Sequence, residues 1–237
     1  MKVKEYQIEQ SPQPWDMKRA PLTKEIHSVF QPMRLLFNYR RLTKKKIGNG
    51  QRIMLFPGWK SHETVMYPMK SYLKTIGYAP EYWGLGINHG HIERYRDEIL
   101  ERLRQEDDDE KITLVGWSLG GLVAREIARE FPEKIASVVT YGTPVIGGPK
   151  YTIGAKVWGK KETIRINNLL DELNETKPIS VPMSIIFTKK DSVVTWSACL
   201  DEVSENVEHY EVQSTHLSLG IDPKVWKIVL NHLRKYA

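Results

Sequence analysis

From residue 51 onward, short runs of β-branched and aromatic residues alternate with stretches in which apolar residues recur every three or four positions. The runs at residues 52–56, 78–83, 111–116, 135–142, 183–188 and 207–213 each predict a strand. The intervening pattern predicts helices over residues 64–75, 92–105, 119–131 and 223–235, and in the second of these Ile92, Tyr95, Ile99 and Leu103 make one apolar stripe. Strands and helices in strict alternation predict an α/β chain, with a mostly parallel sheet of about six strands and helices on both faces.

Two regions break the alternation. Residues 145–180 begin with Gly147-Gly148-Pro149, which turns the chain away from the sheet, and continue with Val157, Trp158, Ile164, Leu169 and Leu170 among charges. An excursion of this length beside the sheet predicts a cap or lid, with a plain helical connection as the alternative. Residues 1–50 carry Leu22, Ile26, Val29, Phe30, Met33, Leu36 and Phe37 at helical spacing, followed by Arg40, Arg41 and Lys44. Pro32 should divide this stretch into two helices, because it lacks the amide that an interior turn needs. The expected organisation is a helical arm (1–50), a core (51–144 and 181–237) and a cap (145–180). The arm packs on the core in one reading and makes a peripheral membrane contact in the other.

Composition narrows the setting. At 237 residues the chain can bury one sizeable core. Residues 1–5 are charged and have no apolar stretch of the signal-peptide kind, and no segment is long enough to span a bilayer. Cys199 is the only cysteine, so no internal disulfide forms, and a cytoplasmic protein is expected. A net charge of +6 favours anionic partners, but the basic residues are scattered outside Lys44-Lys45-Lys46 and form no nucleic-acid-binding module. The sequence leaves the oligomeric state open.

The chemistry concentrates at Gly116-Trp117-Ser118-Leu119-Gly120, followed by Gly121. This is G-x-S-x-G between a predicted strand and a predicted helix, the setting in which a sharp turn exposes the serine as a nucleophile. The glycines keep side chains out of a crowded turn, and the helix start favours the negative charge of acyl transfer. A serine hydroxyl needs a base, and partners of such an elbow follow in the order serine, acid, histidine. His209 falls in or beside the last strand and His232 on the last helix, which leaves His216, just past that strand, as the base. Asp191, at the end of the fifth strand, is the candidate acid that fixes the imidazole tautomer; as an alternative it is a turn residue. Asp171, Asp201 and Glu202 read as surface charges, the first in the cap and the other two on a helix. The backbone amides of Leu119 and of Trp59, in Phe56-Pro57-Gly58-Trp59, are the expected oxyanion donors. Gly58, Trp117 and Trp158 are candidate pocket residues.

These stretches resemble the lipase and esterase branch of the α/β-hydrolase superfamily over residues 50–236. So do Gly84-Leu85-Gly86-Ile87-Asn88-His89-Gly90 and Thr140-Tyr141-Gly142-Thr143-Pro144. The resemblance implies hydrolysis of small-molecule or lipid carboxylic esters. The two antiparallel strands that usually open that fold are not visible here. An elbow with tryptophan before the serine is also similar to that of esterases acting on methyl esters of acyl groups on acidic carrier proteins. An acyltransferase or thioesterase would use the same three residues, and a non-catalytic scaffold would have no chemical reason to keep them. Gly84, Gly86 and Gly90 miss the strict dinucleotide spacing by one place, and His89 and His91 lack a third ligand. No metal or cofactor is implied.

Overall fold

All six expected strands form, and all are parallel. They are β1 (Arg52–Phe56), β2 (Ala79–Tyr82), β3 (Ile112–Trp117), β4 (Ile135–Tyr141), β5 (Met183–Phe187) and β6 (Val207–Glu211), in the order β2-β1-β3-β4-β5-β6. This computed structural model describes residues 4–8, 19–23, 25, 42, 43 and 45–237, the side chains of Lys156 and Trp158 excepted. Of the arm's apolar stripe only Leu22 is among them, and it is exposed. Ile26, Val29, Phe30, Met33, Leu36 and Phe37, the break at Pro32 and the basic residues Arg40, Arg41 and Lys44 lie outside the described residues.

Burial explains the sequence pattern. β3 and β5 are buried along their whole length, so they read as mostly apolar runs, whereas the edge strands β2 and β6 are only partly covered. Helices α1 (Tyr67–Thr75) and α5 (Pro223–Tyr236) cover one face, where Leu73, Ile76, Trp226 and Val229 meet Ile53, Leu55, Val115 and Val139. Helices α2 (Ile92–Arg104) and α3 (Leu119–Glu130) cover the other, where Ile99, Leu103, Val123 and Ile127 meet Met54, Leu114 and Val138. The single helix expected over residues 64–75 is a 3-10 turn, Glu63–Met66, followed by α1. Pro68 sits in the first turn of α1, where its missing amide costs least. Asp222 caps α5 by accepting from the Lys224 amide at 2.8 Å, and Pro223 opens that helix.

Residues 145–180 contain the short helical turn Ala155–Trp158 and helix α4 (Lys160–Thr176). Ile166 and Leu170 of α4 join the core beside α2 and α3. The far end of α4 is tied to α3 through Arg129, which donates to the carbonyls of Leu173 and Lys177 and to Asn174 Oδ1. Among the described residues no helix is long and apolar enough to cross a membrane.

One residue read from the sequence as a helical surface charge is neither. Asp201 is buried outside any helix, where its Oδ2 accepts from Arg125 Nη2 at 2.8 Å and its Oδ1 from the amides of Val203 and Ser204. Burial opposes ionisation there, but the Arg125 charge and these hydrogen bonds outweigh it and hold the carboxyl well below its usual range. Asp171 also has a partner: its Oδ1 accepts from the Gly147 amide at 2.9 Å and pins the start of the 145–180 segment.

Candidate active site

The strand order reverses between β1 and β3. β2 lies on one side of β1, and every later strand lies on the other. Crevices open at the carboxyl ends of strands at such a switch, and the elbow and the loop after β1 both emerge there.

Ser118 takes φ 52° and ψ −125°, and besides Lys60 it is the only non-glycine with positive φ among the described residues. Such a conformation costs on the order of 1–3 kcal/mol and persists only where neighbours fix it. The Ser118 amide donates to the Tyr141 carbonyl at 2.9 Å, and the Ser118 carbonyl accepts from Thr143 Oγ1 at 2.9 Å and from the Gly121 amide at 3.0 Å. The elbow has no room for a Cβ at its glycines. One built on Gly116 would lie 2.4 Å from Gly121 Cα, and one on Gly120 would lie 2.4 Å from the Pro57 carbonyl oxygen.

The three residues singled out from the sequence meet at this point. His216 Nε2 lies 3.0 Å from Ser118 Oγ, and His216 Nδ1 lies 2.7 Å from Asp191 Oδ2. The other carboxylate oxygen, Oδ1, accepts from the amides of Val193 at 2.8 Å and Val194 at 2.7 Å. Both oxygens of Asp191 are thereby committed, so Nδ1 carries the proton and Nε2 presents its lone pair to the serine. Asp191 and His216 are both buried, while the Ser118 hydroxyl faces a cavity. Gly142, at φ 61°, lets the β4 exit pass beneath the imidazole, since a Cβ there would lie 3.0 Å from the ring.

Leu119 and Trp59 flank Ser118 on that cavity, whose volume is about 220 Å³. Its walls are mostly apolar: Trp117, Leu119, Pro144, Ile153, Val194 and Leu217 contribute, with Gly58 and Gly154 leaving room between them. The sequence-predicted pocket residues Gly58 and Trp117 pack together here, the indole lying 3.0 Å from where a Cβ on Gly58 would be. The third, Trp158, ends the short helical turn, and its side chain lies outside the described residues.

The loop that carries Trp59 is fixed by a residue that sequence reasoning passed over as part of a motif. Asn88, fully buried, donates from Nδ2 to the Pro57 carbonyl at 2.8 Å and through its Oδ1 holds the Gly90 amide at 3.0 Å. Its backbone also pairs with Lys60 and Ser61. Gly84 and Gly86, the glycines of the near-miss dinucleotide pattern, direct their amides to Glu63 Oε2.

The remaining histidines after Ser118 are structural. His209 Nε2 accepts from the Asp201 amide at 3.1 Å, and His232 Nδ1 shares a 2.8 Å hydrogen bond with Ser184 Oγ. Burial depresses the pKa of each to about 4. The unfolded chain takes up these protons near pH 6.5 and the folded chain only near 4, so stability is full above that window and declines as pH falls through it. Urea midpoints are therefore expected to drop between pH 7 and pH 5, and to drop less in His232→Gln. A wild-type midpoint that stays flat over that range contradicts the assignment.

A family model described as the alpha/beta hydrolase fold matches residues 77–168. The chain is similar to a pimeloyl-[acyl-carrier protein] methyl ester esterase of Shewanella woodyi, with 31% identity over 102 residues, covering 40% of this chain and 37% of the relative. It is similar to the protein of that name from Legionella pneumophila, with 27% identity over 142 residues, covering 55% and 54%. The chain thus spans about half or less of the length of these curated relatives. Among solved structures it resembles polyneuridine aldehyde esterase, with a TM-score of 0.53 and 16% identity over 78% of this chain and 99% of the other. It also resembles the monoacylglycerol lipase of Paleococcus ferrophilus, with a TM-score of 0.59 and 17% identity over 79% and 97%.

Proposed function

The chain has the α/β-hydrolase fold, and on that footing we propose that it is a serine hydrolase cleaving carboxylic esters through an acyl-enzyme on Ser118. The observation that carries this reading is the unbroken relay from Ser118 Oγ through His216 to Asp191, at 3.0 and 2.7 Å. His216 Nε2 takes the hydroxyl proton as Ser118 Oγ attacks the ester carbonyl, and Asp191 stabilises the imidazolium. The amides of Leu119 and Trp59 receive the developing oxyanion. A donor so placed is worth roughly two to three orders of magnitude in rate. The imidazolium then protonates the departing alcohol, and water, deprotonated by the same nitrogen, releases the acid and restores the serine. No cofactor enters these steps.

The apolar cavity suits an aliphatic acyl chain of short or medium length. Residues 145–180, of which Pro149, Thr152, Ile153 and Gly154 line the cavity, act in this reading as the cap over the acyl site. A cytoplasmic setting suits the single, buried Cys199. A second reading is favoured by the activity for which these relatives are named: the acyl group is presented as a methyl ester on a carrier protein, and the net charge of +6 suits an acidic carrier.

A fluorophosphonate probe tests the reaction class. It is expected to label the chain at Ser118, located by peptide mass, and rates on p-nitrophenyl esters are expected to peak at short or medium acyl length. Labelling at another serine, or none, counts against the reading. Faster turnover of a carrier-bound methyl ester than of any free ester would select the second.

A further inference from the structure

The described part of the N-terminal region reaches the two loops that hold Asp191 and His216. The Ala20 amide donates to the Asp191 carbonyl at 2.9 Å. Glu25 goes further, with both oxygens engaged. Its Oε1 accepts from Ser192 Oγ at 2.7 Å and from the His216 amide at 3.1 Å, and its Oε2 accepts from the Leu217 amide at 3.2 Å. One carboxylate thus bridges the residue after the acid, the base itself and the residue after the base, although it lies 191 positions before His216 in the chain.

We propose that Glu25 is a positioning residue for the base, a clamp that holds the His216 backbone against the acid loop so that Nε2 stays aimed at Ser118. The proposal rests on the reading of Ser118, His216 and Asp191 as the catalytic residues. Glu25 bonds the backbone of His216 and not its ring, so it is not a rival for the role of Asp191. Ser192 Oγ and the His216 and Leu217 amides all donate to it, and an ionised carboxylate is the side chain that accepts from several at once. Half-burial opposes its ionisation, but hydrogen bonds from Ser192, the Leu217 and His216 amides and Thr215 outweigh that and keep it below the usual carboxylate range.

The acid and base loops leave different strands, β5 and β6. Besides the Asp191–His216 bond itself, Thr188 Oγ1 ties them by donating to the Ser214 carbonyl at 2.8 Å. That link lies two residues before His216 and leaves the far side of the base to Glu25. A displacement of about 1 Å at a reacting group can cost about a hundredfold in rate, so a clamp at the backbone of the base acts on turnover more than on substrate binding.

The experiment uses the full chain as wild type, Glu25→Ala, Glu25→Gln, Ser192→Ala and the Glu25→Ala/Ser192→Ala double variant. Fluorophosphonate titration counts the reactive Ser118 in each preparation, and hydrolysis of p-nitrophenyl butyrate is expressed per titrated serine, which removes any loss of folded protein. Glu25→Ala is expected to lower kcat about 10- to 100-fold with KM within about twofold. Glu25→Gln keeps one oxygen for Ser192 and the His216 amide and is expected to lose less, and the double variant to be no worse than Glu25→Ala. A wild-type kcat per titrated serine in Glu25→Ala, a change confined to KM, or additive losses in the double variant would overturn the proposal. Labelling of the wild type at a serine other than Ser118 overturns the triad reading itself, and this proposal with it.

Discussion

Ser118→Ala is expected to lower kcat/KM on p-nitrophenyl butyrate by about 10⁴- to 10⁶-fold, equivalent to about 5–8 kcal/mol of lost transition-state stabilisation, while the variant still folds. In the proposed reaction the Ser118 hydroxyl carries the acyl group, and its removal leaves the cavity and the amides of Leu119 and Trp59 in place. His216→Ala is expected to cost as much, and the two together no more than either, because groups that act as one unit lose their effect together. Asp191→Asn separates charge from geometry. Oδ1 already accepts from two backbone amides, so the asparagine oxygen must keep that position and its NH₂ group must face His216 Nδ1. Nδ1 then has to accept, the proton moves to Nε2, and the ring offers Ser118 a donor where it needs an acceptor. A loss of about 10³- to 10⁴-fold is expected from the wrong tautomer alone. Initial rates on variants with matched circular dichroism check all three. Ser118→Ala within tenfold of wild type would remove the serine from the mechanism.

How much of this was legible in the sequence depends on how far each signal reaches along the chain. The strands were legible because burial on both faces makes β3 and β5 almost wholly apolar, broken only by Thr113 and Ser184, and the elbow because its crowding demands glycines at fixed offsets from Ser118. His216 is 98 residues from Ser118 and 25 from Asp191, yet all three could be paired, because parallel strands deliver every exit loop to the same sheet edge. Asp201 was misread because its partner is tertiary: nothing near it in sequence indicates that Arg125, 76 positions earlier, lies buried against it. Glu25 was invisible for the same reason. A carboxylate whose hydrogen bonds go to backbone amides of distant loops leaves no periodicity and no motif. Asn88 stood inside a recognisable motif, but its task of holding the Pro57 carbonyl appears only when β1 and β2 lie side by side.

Gly120→Ala should be, with Gly116→Ala, among the most damaging single-methyl changes near the site, because the atoms it meets are backbone and cannot rotate away. A Cβ on Gly120 would lie 2.4 Å from the Pro57 carbonyl oxygen and 2.6 Å from that of Phe56, both backbone, and the Pro57 oxygen is also held by Asn88. At Gly121 the nearest atom is the Thr143 hydroxyl oxygen, at 2.0 Å, which can turn aside at the cost of its bond to the Ser118 carbonyl. Relieving the Gly120 contact means moving the first turn of α3 away from the exit of β1. That separation parts the two backbone segments that supply the proposed oxyanion donors, Leu119 on the helix and Trp59 on the loop. The expected cost is about 3 kcal/mol or more in stability, and at least about a hundredfold in kcat per folded molecule. In thermal melts, 3 kcal/mol in a chain of this length corresponds to a fall of about 6–12 °C. Gly220→Ala is the control: it has ordinary φ and nothing within 4 Å of the added methyl, so its melting temperature and kcat should match the wild type. A Gly120→Ala variant that melts with the wild type would mean that α3 does not press on the Pro57 loop, and the oxyanion site would then have to be built from other amides.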